Sequence, residues 1–151
     1  RNTAVWLPED DTAAWVEFER IDTWWQNLSP LPTGFGVTHA DCNAGNFVWN
    51  GRTITIIDFD EPMLTWFAAD IARPFLEIYD FPLALRRELL AAFLAGYGTV
   101  RPLDEATLAS LPWFMRMKDM AVYAWELSEG VSFDAPHLQE YRRGFVRPLP
   151  W

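Results

Sequence analysis

The fold is decided by the stretch Thr38–Asp60, which reads T-H-A-D-C-N-A-G-N-F-V-W-N-G-R-T-I-T-I-I-D-F-D. Its centre, Asn50-Gly51, is a favoured pair for a type I′ turn, and β-prone residues flank it on both sides. The flanking segments are Phe47-Val48-Trp49 and Thr53-Ile54-Thr55-Ile56-Ile57. This pattern predicts a β-hairpin. With Asn50 and Gly51 as the two loop residues, we expect Trp49 to face Arg52.

The same register brings three oxygen-bearing side chains together. It places Asp58 opposite Asn43, and therefore beside the polar loop that contains Asp41 and Asn46. Two carboxylates and one carboxamide suit a hard cation that keeps several of its waters, and magnesium carried by a phosphorylated substrate is the usual example. The sequence therefore predicts a magnesium site next to the hairpin.

The polar loop and the hairpin also carry a recognisable motif. His39 to Asn46 fits the H-x-D-x-x-x-x-N catalytic loop of kinases, and Asp58-Phe59-Asp60 stands where their metal-binding D-F-G follows. The match, from about Gly36 to Ala72, most closely resembles the aminoglycoside phosphotransferase and choline kinase group, with its H-G-D-x-H-x-G-N loop, its I-D-F or I-D-W, and a later D-L-A helix start. Asp70-Ile71-Ala72 occupies the last of these places.

The chain departs from the family pattern at three places. Ala40 replaces the usual Gly, Asn43 replaces the second His, and Ala-Ala precedes Asp70 where an aromatic residue is common. None of these departures removes a side chain to which the resemblance assigns a catalytic role.

The resemblance implies roles for the residues of the motif. Asp41 would be the base or orienting carboxylate for the acceptor hydroxyl, and Asn46 and Asp58 would hold Mg²⁺ on the phosphates of ATP or GTP. His39 would brace the loop by hydrogen bonds, or else act as a general base. Asp60 would be a second metal ligand, an outer acceptor or a substrate contact.

Asp70 is expected to support the loop. It resembles the family's buried acidic residue, which accepts backbone N–H groups of the catalytic loop. An ordinary helix cap is the alternative reading. In both readings Asp70 is structural.

Composition limits the protein classes that fit. The 151 residues suffice for one ordinary domain, and half of them are apolar, so we expect a single domain over residues 1–151 with a packed core. A net charge of −9 argues against nucleic acid as a partner. No apolar run approaches the roughly 18 residues that a membrane span needs. One cysteine, Cys42, fits a reducing, cytoplasmic location, and we interpret it as a small neutral loop residue.

Features of a kinase amino-terminal lobe are not found in the sequence. The eight glycines form no G-x-G-x-x-G, and the one lysine, Lys118, follows the metal-binding Asp58 instead of preceding it. We therefore expect this chain to be a carboxy-terminal lobe whose amino-terminal, nucleotide-covering lobe is absent from it.

The remaining elements give the fold class, which we predict to be α+β and mainly α-helical, a protein-kinase-like C-lobe whose small hairpin carries the catalytic and metal-binding loops. Proline, glycine and apolar spacing predict one strand and five helical segments. The strand is Phe35–Thr38; the helices run from Asp10 or Asp11 to Leu28, from Phe67 to Tyr79 with a break at Pro74, from Pro82 to Tyr97, from Asp104 to Gly130 with an interruption at Pro112, and from Asp134 to Gly144 or Phe145.

Several faces of these helices have predicted environments. On the first helix we expect a core face that includes Trp25, and on the third a buried stripe. The stripe comprises Leu85, Leu89, Ala92 or Phe93, and Gly96. The arginines Arg142, Arg143 and Arg147 are interpreted as a solvated face.

The acceptor is expected to be a small molecule with a hydroxyl group. The acidic, aromatic-rich composition favours an amino-sugar or an amino-alcohol. Four residues are candidates for its site: Glu61, Trp66, Glu126 and Glu129.

Two other classes of function remain open at this point. The chain could be a non-catalytic, kinase-like binding or scaffold module, or the acidic trio could serve a metal-dependent phosphate-ester hydrolase, which would need more metal ligands.

Overall fold

The computed structural model describes residues 3–31, 34–78, 81–145 and 147. These residues form two compact units, one from the described parts of 1–29 and 116–150, the other from those of 30–115. The architecture is α+β and mainly helical, as predicted. The elements are α1 (Thr12–Gln26), β1 (Phe35–Thr38), β2 (Phe47–Trp49), β3 (Ile54–Ile56), β4 (Met63–Trp66), α2 (Phe67–Ala72), α3 (Leu83–Gly98), α4 (Glu105–Ser128) and α5 (Pro136–Phe145).

Two small antiparallel sheets shape the 30–115 unit. The hairpin β2–β3 forms one of them, and β1 pairs with β4 in the other, with Phe35 opposite Trp66 and Thr38 opposite Met63. Strand β4 is not apparent from the sequence, where Glu61–Trp66 has no strand periodicity. Its pairing with β1 brings the start of α2 back beside the strand that leads into the catalytic loop.

The hairpin is present where predicted, but its predicted register is wrong. Trp49 pairs with Ile54 instead of Arg52, so the loop residues are Gly51 and Arg52. Gly51 has φ 91°, and a glycine with positive φ at the first loop position is typical of a type II′ turn. The side-chain oxygen of Asn50 accepts hydrogen bonds from the N–H groups of Arg52 and Thr53, at 3.0 and 2.8 Å. Asn50 therefore flanks the loop and caps it, and the predicted pairing of Asp58 with Asn43 is shifted accordingly.

The helical segment after β4 breaks at Pro74, as the sequence predicts. Helix α2 ends at Ala72 and continues as a 3₁₀ helix, Arg73–Ile78, because proline offers no N–H for the α-helical ladder. The predicted end at Tyr79 lies outside the described residues.

Two predictions for the later helices are wrong. Helix α3 has no fully buried residue: Leu85 and Leu89 of the predicted stripe are exposed, and Phe93 is half-buried against Phe75, with the ring centroids 5.2 Å apart. Helix α4 continues through Pro112. Leu108, whose carbonyl loses its helical partner there, lies on the exposed side, where water can satisfy that oxygen.

The other unit has a core that includes buried charges. Asp11 caps α1 by accepting the N–H of Ala14, as predicted, and also accepts the hydroxyl of Tyr123 and the Nε–H of Arg142. Arg142 therefore does not belong to a solvated face, because the buried carboxylate of Asp11 requires a cation beside it. Trp25, expected in the core, is exposed.

A second buried carboxylate, that of Glu17, lies among the buried residues of α1. It lies between Arg20 (Nη1 to Oε2, 2.6 Å) and Arg116 (Nε to Oε1, 3.4 Å) and has no solvent exposure. Burial raises the pKa of the Glu17 carboxyl, and the two arginines oppose that rise.

Across the described parts of the chain, no helix combines the length and the apolarity that crossing a membrane would require.

Replacing Gly36 tests the contact between β1 and α2. A Cβ atom at Gly36 would lie 2.7 Å from Cζ of Phe67, so we expect Gly36→Ala to lower the free energy of unfolding by about 1–3 kcal/mol. Urea unfolding measures it. In a Phe67→Leu background the penalty should shrink, since the ring is the obstacle. Gly96→Ala, with nothing within 4 Å, should instead stabilise by about 0.5–1 kcal/mol. An equal penalty in both backgrounds would contradict this account.

Replacing Glu17 tests the buried carboxylate. Because the folded protein holds the Glu17 proton more tightly than the unfolded chain, the free energy of unfolding falls as pH rises from about 4.5 through the raised pKa. Glu17→Gln removes this dependence. In urea unfolding at a series of pH values, the free energy of unfolding of the variant should therefore rise relative to that of the native protein as the pH approaches neutral. The control is Glu140→Gln: Arg143 holds the pKa of the exposed Glu140 carboxyl below its usual value, so its titration lies below this range. Parallel curves for Glu17→Gln and the native protein would refute the prediction.

Candidate functional site

The site is built around the loop that follows β1. Asp70 accepts the backbone N–H groups of His39 and Ala40, at 2.7 and 2.8 Å, one on each carboxylate oxygen. Ala40 has φ 67°, the left-handed conformation that glycine adopts most easily. This conformation gives a physical reason for the family's usual glycine at this position, and the carboxylate of Asp70 holds the alanine in it.

His39 connects the loop to the strand that leads to Asp58. Its Nδ1 accepts the N–H of Asp41 at 3.3 Å, so the proton is assigned to Nε2, which donates to the carbonyl oxygen of Ile57 at 2.8 Å. The ring is buried and packs against Phe59, with the ring centroids 4.3 Å apart. Both ring nitrogens are thus engaged in contacts within the protein.

The side chains within hydrogen-bond distance of the Asp41 carboxylate include those of Arg73, Asn43 and Asn46. Its Oδ1 accepts from Nε and Nη2 of Arg73, both at 3.0 Å. Its Oδ2 accepts from Nδ2 of Asn43 at 2.7 Å and, more weakly, from Nδ2 of Asn46 at 3.4 Å. Nδ2 of Asn46 also donates to the backbone carbonyl of Asp41 at 2.9 Å. The loop therefore fixes the orientation of this carboxylate on both of its oxygens.

Asp58 and Asp60 contrast with Asp41. Within the described residues, neither side chain makes a hydrogen bond or an ion pair, and both are exposed. Ile57 donates its N–H to the carbonyl of Asn46 at 3.0 Å, which places Asp58 next to the loop. Strand β3 ends at Ile56 and Asp58 has φ 68°, so Asp58 and Asp60 do not lie on a regular strand.

The donor set fits a hard cation. The amide nitrogen of Asn46 is used inside the loop, which leaves its oxygen as the donor atom, and Asp58 and Asp60 offer carboxylate oxygens without protein partners. In the described ranges no three His, Cys, Asp or Glu side chains cluster closely enough to form a metal site by themselves. Magnesium usually keeps several waters and binds through one or two carboxylates together with substrate phosphates.

Sequence reasoning missed two residues that hold the loop, Arg73 and Glu77. Glu77 accepts the N–H of Ala44 at 3.0 Å, and its other carboxylate oxygen lies 3.5 Å from Nη1 of Arg73. With Asp70, they form a series spaced by three and four residues, which is the signature of one helical face. That spacing was visible in the sequence and is the signal that could have identified them.

The four acceptor-site candidates fall in different units. Glu61 is exposed before β4, and the Trp66 ring packs edge-on against Phe35, with the centroids 5.2 Å apart. Glu126 and Glu129 belong to the other unit, where Glu126 contacts His137.

Cys42 lies in the loop but is not poised as a nucleophile. Burial, and then the carboxylates of Asp70 and Asp41, raise the pKa of its thiol to about 11, which keeps it protonated at neutral pH.

Curated proteins of known activity resemble the chain over much of its length. It is 32% identical over 128 residues to amicoumacin kinase of Bacillus subtilis (strain 168), a match that covers 78% of this chain and 37% of that protein. It is 36% identical over 83 residues to homoserine kinase of Methylobacterium radiotolerans, covering 54% of this chain and 26% of that protein. The matches span about a quarter to just over a third of these relatives.

Solved structures share the fold. Amicoumacin kinase hAmiN, in complex with AMP-PNP, Ca²⁺ and Ami, superimposes with a TM-score of 0.79 at 24% identity, covering 95% of this chain and 47% of that one. A microcompartment-associated aminopropanol kinase gives a TM-score of 0.73 at 26% identity, covering 93% and 44%. The protein-kinase-like C-lobe predicted from the sequence is confirmed.

A family profile agrees with these relatives. The profile described as the phosphotransferase enzyme family matches residues 1–111, which include the catalytic loop, the hairpin and the Asp70-Arg73-Glu77 series. The chain belongs to the phosphotransferase enzyme family.

Proposed function

We propose that this chain is the lobe of a phosphotransferase that moves the γ-phosphoryl group of a nucleoside triphosphate to a hydroxyl of a small-molecule acceptor. The observation that carries the proposal is the hydrogen-bonded loop that joins Asp41 to Asn46, with Asp58 next to it and unpaired among the described residues. This arrangement provides an orienting carboxylate beside oxygen donors for a cation.

Each residue has a step in the proposed reaction. The carboxylate of Asp41 accepts a hydrogen bond from the acceptor hydroxyl and aligns it for in-line attack. It receives the hydroxyl proton as the bond to the γ-phosphorus forms and the bond from that phosphorus to the bridging oxygen breaks, which releases the nucleoside diphosphate. Asn46 and Asp58 hold Mg²⁺, with Asp60 as a further ligand or an outer acceptor, and the ion supplies charge neutralisation for the phosphates. His39 and Asp70 keep the loop in the conformation that presents Asp41.

ATP or GTP is the proposed donor, and Mg²⁺ the proposed ion. The support comes from the donor chemistry at Asn46 and Asp58 and from the structural relative described in complex with AMP-PNP and Ca²⁺. We place the reaction in the cytoplasm, where these nucleotides are abundant.

The proposed acceptor is an amino-sugar or an amino-alcohol. Aminopropanol and homoserine, after which two of the relatives are named, each carry a hydroxyl and an amine. Of the four candidates, Glu61 and Trp66, which lie in the same unit as Asp41, are the proposed acceptor contacts. The net charge of −9 favours a cationic acceptor.

An amino-terminal lobe is proposed to complete the nucleotide site. The hairpin exposes large apolar side chains on the face shared by Trp49, Ile54 and Ile56, which an isolated protein rarely leaves in water. A packed lobe and a bound nucleotide would cover them.

Asp58→Asn tests the metal site. In calorimetric titration with ATP or GTP and Mg²⁺, we expect the complete protein to bind nucleotide, and the variant to lose at least tenfold in affinity because a charged ligand becomes neutral. This chain without further sequence should bind more weakly and turn over little. Asp134→Asn, an exposed aspartate in the other unit, is the control and should bind like the native protein. Equal affinity in all variants would contradict the assigned ligand.

Binding without transfer to any hydroxyl acceptor would favour a scaffold, and release of free phosphate without an acceptor would favour a hydrolase.

Asp41→Asn tests the orienting carboxylate. In the complete protein we expect kcat to fall by about 10²-fold or more, because the amide cannot receive the hydroxyl proton, while the affinity for Mg²⁺–nucleotide stays within about threefold. Steady-state kinetics and calorimetry measure the two quantities. A parallel loss of affinity and of kcat would show that Asp41 belongs to the nucleotide site.

A further inference from the structure

We infer that Arg73 is a positioning residue for Asp41. It binds one oxygen of the Asp41 carboxylate, so that the other oxygen is presented to the acceptor hydroxyl. The inference rests on the proposed phosphotransferase function and adds a residue to it that the motif does not contain. It comes from the contact between the guanidinium and the carboxylate, and from the burial of the arginine.

The guanidinium is fixed on two sides. Nε and Nη2 both lie 3.0 Å from Oδ1 of Asp41, and Nη1 lies 3.5 Å from Oε1 of Glu77. The arginine side chain is 16% exposed, whereas the Asp41 side chain is 41% exposed. The cation is thus the more buried partner of the pair, and the carboxylate is the more exposed one.

The two oxygens of Asp41 are thereby distinguished. Oδ1 is engaged by Arg73, while Oδ2 lies on the side of Asn43 and Asn46. Asn46 is a proposed ligand of the metal, so Oδ2 is the oxygen on the side where the transferred phosphoryl group would lie. A quarter-turn of the carboxylate about its Cβ–Cγ bond would break the contact with Arg73, whereas a half-turn restores it with the equivalent oxygen.

The geometry is specific for arginine. Nε and Nη2 form a rigid fork edge, and a lysine ammonium presents a point charge without that edge. Glu77 holds the guanidinium from the other side and ties it to the loop, because its second oxygen accepts the N–H of Ala44. We therefore expect that a lysine at position 73, which keeps the charge but lacks the fork, will not restore the orientation of the Asp41 carboxylate.

The test compares Arg73→Gln, Arg73→Lys and Arg73→Ala with the native complete protein. We expect kcat to fall by about 10²-fold in the Gln and Ala variants and by at least tenfold in the Lys variant, with KM for nucleotide and acceptor within about threefold, because misplacement of a reacting group slows the chemical step more than binding. Added guanidinium at millimolar concentration should restore part of kcat in Arg73→Ala. The matched control is Arg143→Gln, which removes an exposed arginine paired with Glu140 and should leave kcat unchanged.

A merely structural role would give a different result. Arg73→Gln would then lower the melting temperature and the yield of folded protein while the folded fraction kept its kcat, and guanidinium would have no effect; that outcome overturns the inference.

A readout without turnover separates this inference from the proposed function. In ¹H–¹⁵N spectra, the side-chain amide signals of Asn43 and Asn46 should move in Arg73→Gln and not in Arg143→Gln, because both amides donate to Oδ2 of Asp41. If the native protein transfers no phosphoryl group but these signals move, the proposed function fails while Arg73 still orients Asp41. If the signals do not move, the positioning role is refuted whatever the activity.

Discussion

The site depends on one carboxylate, that of Asp70, which holds the backbone of the catalytic loop. The loop must turn sharply after β1, and Ala40 takes the left-handed conformation at a cost of about 1–2 kcal/mol. Hydrogen bonds to a charged group contribute about 1.5–3 kcal/mol each, and Asp70 accepts two of them, from His39 and Ala40. The two bonds offset the strain. Glycine at this position would avoid the strain, so its replacement by alanine makes the loop more dependent on Asp70.

The segment that carries Asp70 holds the loop at further points. Arg73 engages the carboxylate of Asp41, and Glu77 engages the N–H of Ala44. The change from α2 to a 3₁₀ helix occurs at Arg73, immediately before Pro74, so the proline that ends the α-helical ladder lies within the anchoring segment. A short element with one charged face thus fixes both the backbone of the loop and the side chain of Asp41, and the apolar face of the same element, with Ile71 and Phe75, is buried.

Local patterns in the sequence predicted part of this arrangement. The hairpin, the Asp11 cap and the break at Pro74 each follow from residues adjacent in the chain, which impose their geometry directly. The register of the hairpin did not follow, because the side chain of Asn50 accepts two N–H groups and moves the turn by one residue. Strand β4 depends on pairing across roughly thirty residues of chain, which no local periodicity encodes. The spacing of Asp70, Arg73 and Glu77 was visible as one helical face, but it does not reveal that Asp41 is the partner of Arg73. Helix α3 shows the converse error, since its apolar stripe is real in the sequence but is not buried by the described residues of its unit.

The two halves of the proposed site differ in how far they are organised before a ligand binds. Asp41 is held on both oxygens by Arg73, Asn43 and Asn46, whereas Asp58 keeps a left-handed backbone and has no partner in the described parts of the chain. On the proposed function, the acceptor side is therefore preorganised, while the nucleotide side gains its order from the ion and its phosphates. Preorganisation on the acceptor side favours the chemical step, because an aligned hydroxyl needs little further ordering once the nucleotide is bound.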